Sequence, residues 1–225
     1  MPFYNRLNLL KNTLYSFQSL YKEREDWEVI LPVDSKSQNL FQELIEVLKE
    51  FKFPINAFLI NNDNCFCPPR LYNAGVKSSN GRFLLITNPE ITHLTNVLAG
   101  LDEEFERNEE SYILCSCQSE EAVSGWYQHS FYNNRMLHFC TAISIQGYKD
   151  LGGFDEDYSE GTSYDDDDFK QKILQKKKAI IFRDDLITFH QKHSRDHIYG
   201  NLHLVQRNKA LYCKKWNLRQ DQVNH

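Results

Sequence analysis

Apolar residues first recur at helical spacing. Leu7, Leu10, Leu14 and Phe17, with Leu9 and Leu20 beside them, fall on one stripe of a 3.6-residue period, which predicts an amphipathic helix over residues 7–20. Residues 27–33 (WEVILPV) then make a short, nearly continuous apolar run, the mark of a strand covered on both faces. The alternation continues with a helix over 40–51, a strand over 56–60 (NAFLI), a helix over 69–76 and a buried strand over 83–87 (FLLIT) that stops at Asn88-Pro89-Glu90. This order predicts an α/β fold: a Rossmann-like, mostly parallel sheet flanked by helices, with ligands bound beyond the carboxyl ends of the strands. Chemistry is expected just after Val33, Ile60 and Thr87. Such a sheet normally opens with a strand, whereas residues 1–4 leave at most a stub of one.

The second half is less regular. Strands are expected over 112–117 and 142–145, a helix over 169–178, short strands over 180–182 and 186–189, and a final helix over 201–216. No linker-like composition or repeat divides the chain, so one domain over 1–225 is expected. A length of 225 residues, 41% of them hydrophobic and 13% aromatic, is ample for a continuous core. The net charge of -5 offers no general basic field for a nucleic-acid backbone, so nucleic acid is not an expected partner. No apolar run reaches the ~18 residues of a membrane span and no leader-like start is present, which makes a cytoplasmic protein the expectation. The C-x-C pairs Cys65/Cys67 and Cys115/Cys117 are too close for zinc knuckles; with Cys140 and Cys213 they read as reduced, mostly buried thiols.

Five groups of residues have the types that chemistry needs. Asp34 follows a strand, where a carboxylate can accept from a base or ribose edge, or cap a turn. Glu90 in Asn88-Pro89-Glu90 is an oxygen ligand suited to Mg²⁺ or Mn²⁺, or else a first-turn acid behind a proline. Gly152-Gly153-Phe154-Asp155-Glu156, then Gly161 and Tyr164, lead into Asp165, Asp166, Asp167 and Asp168. Two acids suffice to cap a helix, so four point equally to a carboxylate presented as a general base. His190, His193 and His197 are candidates to complete a metal shell begun by a carboxylate elsewhere, or are ordinary hydrogen-bonded histidines. Trp126-Tyr127-Gln128-His129, with Tyr132 and Arg135, offers rings either for stacking an acceptor or for the core.

Taken in order, these segments resemble glycosyltransferase family 2, with a carboxyl-terminal segment similar to that of galactosyltransferase-like enzymes. Pro2-Phe3-Tyr4-Asn5-Arg6 looks like the family's P-x-Y-N-R start, and Asp34-Ser35-Lys36-Ser37 stands where D-D-G-S is common. Arg70-Leu71-Tyr72-Asn73-Ala74-Gly75 with Ser79-Asn80-Gly81 is similar to R-x-x-N-x-G…A-x-G. Asn88-Pro89-Glu90 falls at the D-x-D position, and Gly152 to Glu156, Gly161 and Tyr164 to Phe169 resemble G-G-F-D-E…G…Y-E-D-D-D-F. The resemblance implies a GT-A fold (nucleotide-diphospho-sugar transferase) with a donor half over about 1–110 and an acceptor and catalytic half over about 111–225. It implies a nucleotide-sugar donor, UDP above all, and a glycan or glycoconjugate acceptor, as in polysaccharide biosynthesis. Pro2, Tyr4, Asp34, Asn73 and Asn88 would bind the donor nucleotide. Glu90 and His190 would hold Mn²⁺ or Mg²⁺, Trp126, Tyr127, Gly153 and Asp165 would face the acceptor, and Asp166, helped by Asp167, would be the base of an inverting transfer. A catalytically silent module of the same fold and a metal-dependent nucleotide-diphosphate hydrolase are the competing readings.

Overall fold

Helix α1 (Leu7–Tyr21) forms on the predicted stripe and buries Leu10, Leu14 and Phe17. Leu10 and Leu14 are fully covered, each worth about 2 kcal/mol of burial. In the computed structural model, which describes residues 1–34, 36, 38–61, 68–194 and 201–223, this face packs on strand β1 (Val29–Asp34) and helix α2 (Gln38–Leu48). Ser35, Ser37, Cys65, Cys67 and His197 lie outside the described residues. Strand β2 (Ile55–Ile60) pairs with β1 in parallel, Asp34 opposite Ile60. The start of the chain adds one parallel bridge, Phe3 to Val33, in which the Phe3 N–H donates to Pro32 O at 3.0 Å. The opening strand is indeed a stub.

The larger sheet contains β3 (Phe83–Thr87), β4 (Ile91–His93), β5 (Tyr112–Gln118), β6 (Trp126–Gln128), β7 (Cys140–Ser144) and β8 (Ile180–His190). Its order is β3-β7-β5-β8-β4, with β6 beside β5. The sheet is mixed: β5 and β8 run parallel, and the remaining pairs antiparallel. β5 shows why its sequence carries no alternation of polar and apolar residues. Tyr112 and Leu114 face one core with Phe154, Phe169 and Ile173, while Ile113, Cys115 and Cys117 face another with Val97, Leu101 and Phe105. Both faces are therefore dry.

Helices α3 (Pro69–Lys77), α4 (Val97–Arg107), α5 (Ile145–Asp150), α6 (Asp165–Gln175) and α7 (Leu202–Trp216) complete the layers. The predicted helix over 169–178 starts earlier, because the four aspartates form its first turn, where the macrodipole favours them. The two short strands expected over 180–189 are one strand. The polar run Arg183, Asp184 and Asp185 that separated them lies at a register shift against Cys115 and Ser116, where Arg183 pairs with Glu104 and Asp185. The described cysteines, Cys115, Cys117, Cys140 and Cys213, are free and buried.

Candidate active site

Strand β3 ends at Thr87, and the turn to β4 carries Asn88, Pro89 and Glu90. Pro89 O accepts from the buried Thr13 hydroxyl of α1 at 2.7 Å, and Glu90 O accepts from the Gln191 N–H at 2.9 Å. The turn is therefore fixed on one side by α1 and on the other by the end of β8. That second contact draws in the histidines: Glu90 Oε1 lies 3.9 Å from His190 Nε2 and 3.6 Å from His193 Nε2. One ligand atom from each of Glu90, His190 and His193 lies within 4.8 Å of the others.

The chemistry of this cluster asks for a cation. His193 Nδ1 lies 2.9 Å from Ser194 O, which can only accept, so Nδ1 donates there and Nε2 is the ring atom turned toward the Glu90 carboxylate. His193 Nε2 and Glu90 Oε2 are buried without a hydrogen-bond partner among the described residues. A divalent ion held by Glu90, His190 and a deprotonated His193 Nε2 would give these orphaned atoms a partner. Arg6 supplies the nearest positive charge, its Nη1 donating to Glu90 Oε1 at 2.7 Å. Burial by itself would raise the Glu90 carboxyl. His193, Arg6 and His190 outweigh it and hold the group at about 2.

A second carboxylate centre lies at the start of α6. Ser163 and Tyr164, at φ +65° and +68°, turn the chain through the left-handed region just before it. Such residues cost ~1–2 kcal/mol each, and for a bulky side chain the geometry is unusual. Helix α7 holds the turn: Asn208 Nδ2 donates to Tyr158 O and Ser163 O, both at 2.9 Å, and a Cβ at Gly161 would strike Asn208 Oδ1 at 2.1 Å. The four acids then separate by environment. Asp168 is buried and accepts from Trp216 Nε1 at 2.9 Å and pairs with Lys215 at 2.8 Å, so it ties α6 to α7. Asp165 is buried, whereas Asp166 and Asp167 are half-buried.

Asp166 Oδ1 lies 3.6 Å from Nε2 of His138, a ring enclosed by Tyr112, Phe154 and Phe169. Burial lowers His138 to about 4, so it is neutral at pH 7. Burial and the Asp167 charge push the Asp166 carboxyl up to about 7, against the His138 backbone N–H and Arg135, which pull it down. The two centres adjoin: Phe139, next to His138, packs on His190 with ring centroids 5.3 Å apart, and Tyr127 meets His190 at 5.0 Å.

The other expected residues are distributed around this pair. Asp34 is buried and its Oδ1 accepts from the Lys36 N–H at 2.9 Å, a turn contact at the end of β1. Pro2 is buried in the stub strand and Tyr4 is 46% exposed. Asn88 Oδ1 accepts from the Tyr72 hydroxyl at 2.6 Å. The Asn73 side chain spans α3 and the glycine-rich segment: it donates to Phe154 O and Glu156, and accepts from Tyr148 and the Phe154 N–H. A Cβ on Gly153, at φ +66°, would lie 2.7 Å from Asn73 Oδ1, so glycine is needed for that approach. Trp126 stacks with Tyr132, away from Tyr127 on the alternate face of β6. Three residues of the site received no chosen role from the pattern: Arg6 stood only within a motif, His193 was one of three histidines, and His138 had no signal at all.

Residues 1–156 match the family model of glycosyl transferase family 2. The chain belongs to that family. It is a glycosyltransferase domain with a GT-A fold, and solved structures agree at low identity. S. aureus TarS (residues 1–349, in complex with UDP-GlcNAc) superposes with a TM-score of 0.71 at 15% identity, over 88% of this chain and 59% of that one. The mannosyltransferase PcManGT from Pyrobaculum calidifontis, in complex with GDP-Man and Mn²⁺, gives 0.66 at 13%, over 95% and 62%. GalNAc-T7 with UDP, GalNAc and Mn²⁺ gives 0.68 at 15%, over 86% and 43%. The chain thus spans between 43% and 62% of the length of these three chains. No curated protein matches it. Among the described residues no helix is long and apolar enough to cross a membrane.

Proposed function

We propose that this domain transfers a sugar from a nucleotide-sugar, UDP-linked above all, to a hydroxyl of a glycan or glycoconjugate acceptor, with inversion and with a divalent ion bound by Glu90, His190 and His193. The observation that carries the reading is geometric: Glu90 gathers His190 and His193 within 4.8 Å, and beside this cluster, through Phe139 packed on His190, stands Asp166 against His138 at the start of α6, the first carboxyl held low and the second raised. The first stays ionised under all working conditions, as a ligand must. The second sits near neutral pH, where a general base is most effective.

A divalent ion in this position would neutralise charge developing on the donor's leaving diphosphate. Two imidazoles in the donor set favour Mn²⁺ over Mg²⁺, which prefers an all-oxygen shell. Asp166 takes the proton of the acceptor hydroxyl as its oxygen bonds to the anomeric carbon and the bond to the diphosphate breaks. Asp167, by its charge, keeps the Asp166 carboxyl basic. In the donor half, over about 1–110, Pro2, Tyr4 and Asp34 border the base, Asn88 lies beside the metal turn, and Asn73 braces the diphosphate side by fixing α3 to the Gly153 segment. In the half over about 111–225, which has the galactosyltransferase-like segment, Tyr127, Trp126, Gly153 and Asp165 face the acceptor. Polysaccharide synthesis in the cytoplasm is the setting this reading favours.

The test is turnover of a panel of UDP- and GDP-sugars with glycan acceptors, in Mn²⁺, in Mg²⁺ and in EDTA. Transfer that requires the ion and inverts the anomeric centre is the expected result. Release of free sugar or sugar phosphate without any acceptor would replace it with the hydrolase reading, and donor binding without turnover would replace it with the silent module.

A further inference from the structure

Arg6 stands where a second cation is least expected. Its guanidinium donates at 2.7 Å to Glu90 Oε1, the same oxygen that lies 3.6 and 3.9 Å from the two histidines. An ion bound by Glu90, His190 and His193 would take that oxygen as its ligand and would stand close to Arg6. The carboxylate carries one negative charge, which Arg6 already balances. Adding a divalent ion leaves two uncompensated positive charges around a Glu90 side chain only 7% exposed, where repulsion is weakly screened. A nucleoside diphosphate brings about three negative charges and removes that imbalance. Arg6 has the freedom to follow them: it lies at the N-terminal end of α1 with its side chain 27% exposed, and Glu90 is its one ion-pair partner among the described residues. A guanidinium is also the side chain best shaped to grip a diphosphate.

We propose that Arg6 is a donor-diphosphate ligand that exchanges partners, leaving Glu90 to the divalent ion and turning to the phosphates, so that ion and nucleotide bind as a coupled pair. This rests on the metal-site reading above and adds to it that the ion alone binds weakly because Arg6 competes for Glu90.

Mn²⁺ titrations followed by the electron-paramagnetic-resonance signal of the free ion separate the two claims. Wild type, Arg6→Gln, Arg6→Lys and Glu90→Gln proteins would each be titrated alone and with UDP or GDP, after circular dichroism and thermal melts confirm folding. Wild type is expected to bind Mn²⁺ alone weakly and about tenfold or more tightly with a nucleoside diphosphate, an ordinary size for site–site coupling. Arg6→Gln is expected to bind Mn²⁺ alone about tenfold more tightly than wild type and to gain little from the nucleotide. Arg6→Lys, which keeps the charge but not the fork, is expected to bind Mn²⁺ alone like wild type and to lose several-fold of the gain from the nucleotide; if Arg6→Gln fails to fold it carries the test, and an undiminished gain overturns the proposal. Equal Mn²⁺ affinity in wild type and Arg6→Gln, with binding lost in Glu90→Gln, overturns the Arg6 proposal and leaves the metal site standing. Mn²⁺ binding that survives Glu90→Gln overturns the metal site itself.

Discussion

Glu90 and Asp166 are the same functional group in adjoining centres, each within 4 Å of an imidazole, yet one is held at about 2 and the other raised to about 7. Both pay for burial. The difference is what else surrounds them. Glu90 has Arg6 and two histidines converging on it, so its charge is the most favourable state of the cluster. Asp166 has a neutral, desolvated His138 on one side and the like charge of Asp167 on the other, so ionisation is opposed from both sides. The histidine beside a carboxylate therefore does not define its role. What decides it is whether the groups around the carboxylate complement its charge, as Arg6 and the histidines do for Glu90, or oppose it, as burial and Asp167 do for Asp166.

The largest effect should come from breaking the second centre. Asp166→Asn is expected to lower kcat by about 10³-fold, within the range for a general base, while donor affinity changes less than about twofold. Stability should move the other way. A carboxyl whose folded value is raised holds its proton in the folded state between the unfolded value of 3.8 and about 7. Wild type therefore loses stability as pH rises through that window, and the loss is complete above it. The amide has no such loss, so thermal melts should show the variant gaining on wild type between pH 5 and pH 8. A difference independent of pH would mean that Asp166 is not the raised group.

Breaking the first centre should reverse the sign. Glu90→Gln removes the partner of Arg6 and is expected to cost about 2 kcal/mol at pH 7, below the figure for a fully enclosed pair because Arg6 keeps some contact with solvent. A depressed carboxyl contributes stability that is present above its unfolded value of 4.5 and lost as pH falls toward about 2. Urea unfolding at pH 7, 4 and 3 should therefore show the gap between wild type and variant closing as acid is added. A gap that stays constant would assign the cost to packing rather than to charge.

The sequence made the strand ends legible because period and punctuation are local. The apolar run over 83–87 ending in Asn-Pro-Glu and the acid-rich helix start both announce themselves, and the structure keeps β3 at Phe83–Thr87. Helix α4 shows what is lost when no chemistry draws attention to a segment. Val97, Leu101 and Phe105 recur at spacing four behind Asn96, which caps the helix through the Ala99 N–H, signals as local as those of the other helices. The pairing of His193 with Glu90 was beyond reach, since it depends on the Gln191 N–H closing on Glu90 O across 101 positions. So was the division of labour among the four aspartates. Asp168 is structural only because Lys215 and Trp216 return to it from α7.

The smallest effect sharpens the comparison most, because it asks what His138 itself contributes. The ring packs edge-on against the stacked Phe154 and Phe169, with Nδ1 3.0 Å from the Tyr112 hydroxyl and Nε2 3.6 Å from Asp166. His138→Ala opens this side of Asp166 to water while keeping the backbone N–H that faces the carboxylate. Better solvation favours the ionised form, so the acid limb of kcat/KM should move below about 7, toward the ordinary aspartate range. A weaker base also transfers the proton less readily, so the plateau should fall by a few-fold, a modest loss by Brønsted behaviour. Activity at pH 6 relative to pH 8 would then rise even as the maximum drops, a combination that simple loosening of the core does not produce. If the limb stays near 7 and only the plateau falls, His138 is packing alone. Asp167 is then left as the source of the shift, and Asp167→Asn should move the limb instead.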